Sequence, residues 1–476
     1  MVFWIAFGPW VTRYLGQSAW DRTKADLIAR GEKLSITDFI PPAIPDRQNF
    51  FADPMWMELI EHQTLDAAGN AQWQPAIPKE QTQLYALRKP VPDPELKPLQ
   101  KKFPALRAGD DRVYLASSLI IEAQKSSDAR RLKAEAAEAA LATLEPLRPI
   151  LVRVHALLDR PEAIFPIAYE KGAFAPSPHV TAIFAIASVL SSRAQAAIIL
   201  HDREAALTDT FDLLRLSRLI GAEPTLLSFV DRIAVTNSAW RSIHDGIAMH
   251  VWQESDLAAF QDTLDQIHFF PGLARALRGE RGMGNMLFEN LRRSPGTFGS
   301  VSPPGMKIAG AAYVIFFRAP DQAFYNITIQ QVLDALGTGP TLETGPLDKL
   351  EAESEDEAFG LQKYARLISR ALQPAFGKVI RFAAQTQDQV FMLRIACALE
   401  RYRLKTGAYP TALAALVPGY LSEIPTDIVA GHTFHYRLAP SGQFQLWSIG
   451  WNGIDDHGVA DKDRRIGDWP WSPPLP

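Results

Sequence analysis

From residue 110 to residue 293 the sequence consists of Ala- and Leu-rich segments, which Pro or Gly interrupts at intervals typical of helix–turn–helix pairs. The clearest pair covers residues 178–200 and 204–220, with a turn at 201–203, and Gly221 is suited to end the second helix. Apolar residues recur in that helix at helical spacing: Leu207, Phe211 and Leu214. This pattern predicts that most of the chain folds as packed helices.

Three further helices are predicted at residues 224–249, 255–268 and 271–291. The hinges between them are short, which indicates antiparallel neighbours, and no fixed 34-residue period is present. The predicted fold class is therefore mainly α. It is an irregular antiparallel helical array, α-solenoid-like, followed by a small C-terminal α+β module.

The composition predicts a folded protein and argues against a nucleic-acid partner. The 476 residues are 47% hydrophobic, which is enough for one large core or a few ordinary cores. The formal net charge is -4, and Lys and Arg are scattered among acidic residues rather than gathered to follow phosphates. The single cysteine, Cys397, cannot form an internal disulfide or a multi-cysteine zinc site, and it is expected to be buried in a helix.

Residues 1–109 are predicted to hold an apolar N-terminal segment, a short helix at residues 18–30 and then a proline-rich extended arm. The apolar segment, residues 2–11, is roughly half as long as a helix that spans a bilayer. It is interpreted either as the remnant of a membrane anchor whose start lies upstream or as a segment that packs on the protein itself. Trp4, Trp10 and Tyr14 favour the anchor, because these residue types suit a membrane interface. The arm should dock through its aromatic residues: Phe39, Phe50, Phe51 and Trp56.

Residues 294–387 are predicted to contain loops and further helices. Residues 294–310 hold several Pro and Gly residues, which predicts a loop. A second break covers residues 337–357 and ends in a run of acidic side chains: Glu351, Glu353, Glu355, Asp356 and Glu357. This run is predicted to be a solvated linker or the charged first turn of the next helix, rather than a metal site.

Residues 388–476 are predicted to form a separate α+β module. A helix with basic residues in its last turns ends at Gly407. A short helix and turn follow, and then two strands at residues 432–438 and 444–449, which the turn Pro440-Ser441-Gly442 joins. The strands are expected to form a β-hairpin seated on the end of the helix.

This module resembles the globular domain of the major pseudopilin of type II secretion. The likeness begins at residues 398–410, which read ALERYRLKTGAYP. It continues in order through these residues: Leu416-Val417, Leu421, Ile424-Pro425, Asp427, Tyr436, Ser448-Ile449-Gly450, Asn452-Gly453 and Gly467-Asp468-Trp469. The whole chain also resembles large membrane-anchored bacterial proteins that carry such a tail. The sequence lacks the glycine-phenylalanine processing site and the long apolar helix of the pseudopilin pattern.

The resemblance implies a structural Ca²⁺ ion in the loop after the last strand. In the pseudopilin family this loop binds calcium, and the corresponding stretch is residues 452–463. The ligands that the resemblance implies are Asn452, Asp455, Asp456, Asp461 and Asp463. Calcium prefers oxygen ligands, and glycines permit the tight bends of such a loop. The alternative is an acidic surface turn, because Asx residues form turns readily.

Other candidate sites are interpreted as structural. His432 and His435 lie three residues apart on a predicted strand and should point to opposite faces, which argues against a metal pair. Three glycines lie near a helix rather than after a strand, so they do not make a phosphate loop: Gly279, Gly282 and Gly284. The sequence therefore predicts no catalytic residue and no cofactor other than calcium.

The predicted function is that of a non-enzymatic cell-envelope scaffold or protein-interaction protein with a calcium-stabilised C-terminal module. One alternative is a hydrolase or carbohydrate-active enzyme with carboxylates between the helical body and the N-terminal arm. Another is a pilus-like or secretion-system assembly component. The protein is expected to be membrane-anchored through its N-terminus or periplasmic, and cytoplasmic if that terminus is complete. The sequence does not identify the protein partner.

Overall fold

A computed structural model describes residues 2–58, 61–65, 71–75, 83–125, 130–294, 313–337, 339, 341–355, 366–372, 374–463 and 465–471. The helices of these residues are α1 (Val2–Ala29), α2 (Pro54–Met57), α3 (Asp93–Lys102), α4 (Arg112–Lys125), α5 (Arg130–Leu144), α6 (Arg148–Leu157), α7 (Pro178–Ile199), α8 (Arg203–Leu219), α9 (Leu226–Ala248), α10 (Glu254–Asp265), α11 (Phe270–Arg293), α12 (Arg318–Leu336), α13 (Thr344–Glu355), α14 (Leu367–Leu372) and α15 (Pro374–Thr406). The strands are β1 (Glu61–Leu65), β2 (Ala71–Pro75), β3 (His435–Leu438), β4 (Phe444–Ser448) and β5 (Trp469–Pro470).

Helices α7 and α8 form the pair that the sequence predicts. The side chain of Asp202 accepts a hydrogen bond from the backbone N–H of Ala205 at 3.1 Å and caps the start of α8. His201 adopts a φ of 57°, which reverses the chain between the two helices. α7 packs against α4, α5, α8 and α9, so it lies at the centre of the helical body.

One helix of the described residues is long and apolar enough to cross a membrane, and it is α7. In its most apolar window, 78% of the residues are buried inside the protein. A helix that contacts neighbours on several sides is apolar all round for that reason. The central position of α7 therefore accounts for its hydropathy.

The helices predicted at residues 224–249, 255–268 and 271–291 are confirmed as α9, α10 and α11, with ends that differ by a few residues. α15 packs against α9 and α10 and also contacts α13 and α14. Cys397 lies in α15 and is completely buried, as expected. The fold is mainly helical, as the sequence predicts.

Gly279 and Gly282 of α11 are points of close packing. A Cβ atom at Gly279 would lie 1.8 Å from the carbonyl oxygen of Pro224, and one at Gly282 would lie 2.4 Å from the backbone nitrogen of Ile36. No side chain fits at such distances, because the atoms on the other side belong to a backbone. The glycine spacing that superficially resembles a phosphate loop therefore has a packing explanation.

α1 is longer than the sequence predicts. One helix covers Val2–Ala29, whereas the prediction covers only residues 18–30. The second half of α1 packs against α12, where Trp20 forms a small apolar cluster with Ala319 and Ala323. This cluster is separate from the main core, and it fixes one half of α1 to the helical body.

A charged cluster strengthens this attachment just after α1. The carboxylate of Glu32 accepts hydrogen bonds from Arg278 at 2.9 and 3.0 Å and from Arg281 at 2.9 Å. Arg281 is completely buried and also donates to Gln330 of α12 at 2.8 Å. A buried guanidinium needs such partners, because an unpaired charge away from water is strongly unfavourable. Glu32 therefore ties the end of α1 to α11 and α12.

The proline-rich region after α1 contains short helical turns rather than a continuous extended arm. Three 3₁₀ helices precede α2: Ile36–Asp38, Asp46–Gln48 and Phe50–Ala52. Phe50, Phe51 and Trp56 are buried, and Phe39 is half-buried, so the predicted anchors do dock. The arm meets the body again at Asn49, which exchanges two hydrogen bonds of 2.9 Å with the backbone of Ile164.

The C-terminal sheet is antiparallel, with the strand order β3-β4-β5. The predicted hairpin is confirmed, with His435 opposite Trp447 and with Gly442 in the turn at a φ of 80°. β5 is not predicted, because a strand of two residues is too short to show an alternating pattern. The preceding helix, α15, ends before Gly407, as predicted.

Part of the predicted loop, residues 295–310, lies outside the described residues, as do Asp356 and Glu357 of the acidic run. The rest of that run lies at the end of α13, where Glu351 pairs with Arg381 of α15. The prediction of a linker or a first helical turn is therefore wrong for this part. An ion pair with α15 holds Glu351 in the last turns of α13.

Candidate functional site

Asp455, a predicted calcium ligand, is held by two hydrogen bonds to one of its oxygens. Oδ1 accepts from the indole N–H of Trp447 and from the backbone N–H of His457, each at 2.9 Å. The hydrogen bond from Trp447 lowers the pKa of Asp455, so the group is a carboxylate. Its Oδ2 lies 3.5 Å from Nδ1 of His435 and 3.5 Å from Nδ1 of His457.

Three other predicted ligands form local hydrogen bonds and an ion pair. Oδ1 of Asn452 accepts from the backbone N–H of Ile454 at 3.2 Å, and Oδ1 of Asp461 accepts from that of Asp463 at 2.7 Å. The carboxylate of Asp463 pairs with Arg465 at 2.9 Å. Hydrogen bonds from a backbone N–H two residues further on are typical of Asx turns.

The loop folds around Asp468, to which the sequence assigns no role. Its buried carboxylate accepts hydrogen bonds from the backbone N–H groups of Asp456 at 3.1 Å and Gly458 at 2.6 Å. Burial raises the pKa of Asp468, and the two N–H groups oppose that shift. The fifth predicted ligand, Asp456, is thus engaged through its backbone. The only signal for Asp468 in the sequence is its place in the closing motif of the pseudopilin likeness.

Among the described residues, no group of three or more His, Cys, Asp or Glu side chains forms a metal site. The five predicted ligands share one loop, but several of their oxygens already accept hydrogen bonds from nearby N–H groups. As placed, they do not supply the shell of about six to eight oxygens that calcium requires. Calcium binding by this loop stays a prediction.

Two buried carboxyl groups join α15 to the module. Asp388 and Asp427 are both 0% exposed. The carboxylate of Asp427 accepts hydrogen bonds from the backbone N–H groups of Val429 and Ala430 at 2.9 Å each. Burial, and after it the charge of Asp427, raises the pKa of Asp388 well above its ordinary range. The raised pKa favours the protonated form of Asp388, which is hydrogen-bonded to Asp427.

A polar cluster lies where the hydrolase alternative places its carboxylates, between the arm and the helical body. Oε1 of Glu223 is 2.9 Å from Nε2 of His179, and Oε2 accepts a hydrogen bond from the hydroxyl of Ser228. The ring of His179 stacks on Phe165 with centroids 4.1 Å apart, and the ring of Phe51, from the arm, lies at a steep angle to it. The polar groups are thus sealed by aromatic rings.

The cavity at this cluster is the size of a water molecule. Its volume is about 10 Å³, and its wall includes the carboxylates of Glu223 and Asp231. A cavity needs about 10–15 Å³ to hold one water. Burial, and then the charge of Glu223, raises the pKa of Asp231 to about 7. The cluster can hold a proton near neutral pH, but it has no room for a sugar or a peptide.

The chain matches none of the protein-family models, curated proteins or solved structures with which it was compared. The pseudopilin likeness of residues 388–476 therefore depends on the sequence motifs alone.

Proposed function

We propose that this protein is a non-enzymatic scaffold of the cell envelope, which attaches to a membrane through the first half of α1 and binds a protein partner. The continuity of α1 is the observation that carries this proposal. A single helix joins the apolar residues 2–11 to a second half that is fixed to the helical body. An attachment made by the first half would therefore position the whole body.

The part of α1 that precedes its docked half has the character of a membrane interface. Tyr14 is 76% exposed and Leu15 is 56% exposed. Residues 2–12 contain no charged side chain, and they include Trp4 and Trp10. Trp and Tyr beside apolar residues are typical of segments that settle at the level of lipid headgroups. These features support attachment to a lipid surface.

The partner-binding part of the proposal rests on the tip of the C-terminal module. Three aliphatic side chains in the loop before β5 are more than half exposed: Ile454, Val459 and Ile466. Several apolar side chains exposed on one loop are typical of contact surfaces. We also propose that the C-terminal module is related to the globular domain of the pseudopilins. The helical body would offer a surface for the protein partner, as α-solenoids do.

Flotation with liposomes tests the membrane attachment. The full chain should float with the vesicles, and the double variant Trp4→Glu/Phe7→Glu should not, because two charges would enter the apolar segment. The matched control is Val152→Glu/Leu227→Glu, which adds two charges at exposed positions of α6 and α9 and should float normally. Flotation of the α1 variant, or no flotation of the unmodified chain, would contradict the proposal.

A hydrolase remains the second candidate because of the cluster at the junction of arm and body. His179, Glu223, Ser228 and Asp231 combine the groups that acid–base catalysis uses. A cavity of about 10 Å³ opposes this function, since the arm would have to move to admit a substrate. The test measures the hydrolysis of ester, peptide and glycoside substrates by the unmodified chain and by Asp231→Asn. Hydrolysis by the unmodified chain that is lost in the variant would favour an enzyme. Rates equal to the uncatalysed background in both proteins would exclude this cluster as an active site.

A further inference from the structure

Helix α12 packs against both α1 and α11, and its contacts show which helix ends lie together. A Cβ atom at Gly16 of α1 would lie 2.4 Å from the ring of Pro320, in the first turn of α12. At the other end of both helices, Arg30 pairs with Asp334 at 3.1 Å. α1 and α12 therefore run parallel. Because α1 is one continuous helix, the residues before Gly16 extend past the start of α12.

α11 runs in the opposite direction and brings its C-terminal end to the same place. Arg281 donates a hydrogen bond to Gln330 at 2.8 Å. One turn later in α11, Asn285 donates to Asn326 at 3.2 Å, and Asn326 lies one turn earlier in α12. The last turn of α11 is therefore near the first turn of α12 and near Gly16 of α1.

Exposed arginines lie at this end of the three helices. Arg292 and Arg293 are the last residues of α11, and Arg13 precedes the docked half of α1. We call these three exposed side chains the basic end. Residues 1–20 and 290–320 contain no acidic residue, although the whole chain has 53 acidic and 49 basic residues. The charge at this end is thus opposite to the net charge of the chain.

The two acids that flank residues 290–320 do not cancel this charge. The carboxylate of Glu289 accepts a hydrogen bond from Arg292 at 2.7 Å and lies 3.8 Å from the buried guanidinium of Arg318. Asp321 is completely buried and accepts a hydrogen bond from the hydroxyl of Tyr313 at 2.6 Å. Glu289 is therefore one carboxylate among several guanidinium groups, and positive charge remains on the surface.

Exposed apolar side chains accompany the basic end. Val11 and Leu15 of α1 are 47% and 56% exposed, and Ile315, which precedes α12 by three residues, is 46% exposed. At a membrane surface, arginines reach the lipid phosphates with their heads while apolar side chains enter the acyl boundary. The combination at this end therefore fits the surface of a bilayer that contains anionic lipids.

We propose that the basic end binds the headgroups of anionic phospholipids, so that α1, α11 and α12 meet the bilayer at this end. The inference rests on the proposed membrane attachment by α1 and adds the class of lipid and the surface that recognises it. The apolar residues 2–11 are too few to span a bilayer, and short anchors need a second, electrostatic signal for stable attachment. Each cation close to an anionic membrane strengthens binding about fivefold.

Co-sedimentation of the full chain with two kinds of vesicle tests this inference. One kind contains phosphatidylcholine alone, and in the other about a third of the lipid is phosphatidylglycerol. The unmodified chain should bind the anionic vesicles at least about tenfold more tightly, and about 0.5 M NaCl should remove most of this difference by screening. Arg292→Gln/Arg293→Gln should weaken binding to the anionic vesicles about fivefold to thirtyfold and leave binding to phosphatidylcholine unchanged.

The matched control is Arg131→Gln/Arg148→Gln, which removes two exposed arginines of α5 and α6. Each of them lies beside a glutamate, as Arg292 does. This variant should bind both kinds of vesicle like the unmodified chain, and circular dichroism checks that both variants are folded. Cations in the last turn of α11 also complement the helix dipole, but a role in stability alone would not make binding depend on the lipid.

The outcomes separate this inference from the attachment on which it rests. Equal binding of the unmodified chain to the two kinds of vesicle would overturn the role of the basic end and leave attachment by α1 intact. Equal losses in the two double variants would overturn it as well, because any two arginines would then serve. If the unmodified chain bound neither kind, both the attachment and the inference would be wrong.

Discussion

The carboxyl groups of Asp388 and Asp427 are hydrogen-bonded to each other in the interior of the protein, where α15 meets the C-terminal module. Asp388 also accepts a hydrogen bond from the backbone N–H of Ile428 at 3.1 Å. Asp427 accepts three backbone hydrogen bonds, from Val429, Ala430 and Ile449. Burial and the nearby charge of Asp427 raise the pKa of Asp388, so Asp388 holds a proton more tightly than an ordinary aspartic acid. The connection between helix and module depends on both.

The same substitution at the two positions should have unequal effects. Asn at position 388 mimics the protonated acid, so Asp388→Asn should change the free energy of unfolding by no more than about 1 kcal/mol. Asp427→Asn removes the charge that three N–H groups face and should destabilise the protein by about 2–3 kcal/mol. Urea denaturation followed by tryptophan fluorescence measures both values. Equal losses for the two variants would contradict the assignment of the proton.

The stability difference between the unmodified chain and Asp388→Asn should depend on pH. Because the pKa of Asp388 is raised in the folded protein, the folded state holds the proton more tightly than the unfolded state, where the ordinary value is 3.8. The stability that Asp388 contributes is therefore complete below pH 3.8 and falls as the pH rises toward the raised pKa. Asn cannot ionise, so the variant should gain relative to the unmodified chain over that range. Melting curves at pH 5 and pH 8 would reveal this trend, and a constant difference would refute it.

Glu32 should be essential for the attachment of α1. Glu32→Gln leaves the buried guanidinium of Arg281 without its carboxylate, which should destabilise the protein by about 3 kcal/mol. The matched control is Glu145→Gln, whose partner Arg148 is exposed, and it should cost less than about 0.5 kcal/mol. Thermal unfolding of the two variants makes the comparison. Similar melting temperatures would show that the cluster around Arg281 is not structurally important.

Gly282 of α11 should be irreplaceable, in contrast to a helical glycine that has no close neighbour. Gly282→Ala places a methyl group against the backbone of Ile36 and should destabilise the protein by at least about 1–3 kcal/mol. Gly345→Ala, in α13, meets nothing within 4 Å and should be neutral or stabilising by up to about 1 kcal/mol. The two variants remove the same backbone freedom from the unfolded chain. A stable Gly282→Ala protein would mean that α11 and the arm are not in close contact.

The sequence predicts those parts of the fold that depend on local pattern. The boundary between α7 and α8 follows from the capping residue Asp202, and the hairpin of β3 and β4 from a turn that contains Gly442. Each of these features is determined by neighbouring residues and needs no knowledge of the remaining chain. The full length of α1 is different, since Gly8 and Pro9 lie within the helix although both residue types usually interrupt one.

The polar sites were not predictable because their partners are distant in the sequence. His179 and Glu223 are 44 residues apart, and Glu32 and Arg281 are 249 residues apart. Nothing in the local pattern distinguishes these residues from surface charges. Asp388 gives a weak signal, as an acid in a helix that is otherwise expected to be buried. The five predicted calcium ligands come from a family resemblance, and the convergence of His435 and His457 on Asp455 became visible only in the structure.

The most direct test of the scaffold proposal compares two positions on the same molecule. Because Cys397 is completely buried, a cysteine introduced at an exposed position can be labelled selectively with an environment-sensitive dye. A dye at Leu15→Cys on α1 should shift to shorter wavelength when liposomes are added, and a dye at Val152→Cys on α6 should not. No shift at residue 15, or equal shifts at both positions, would contradict membrane attachment through the first half of α1.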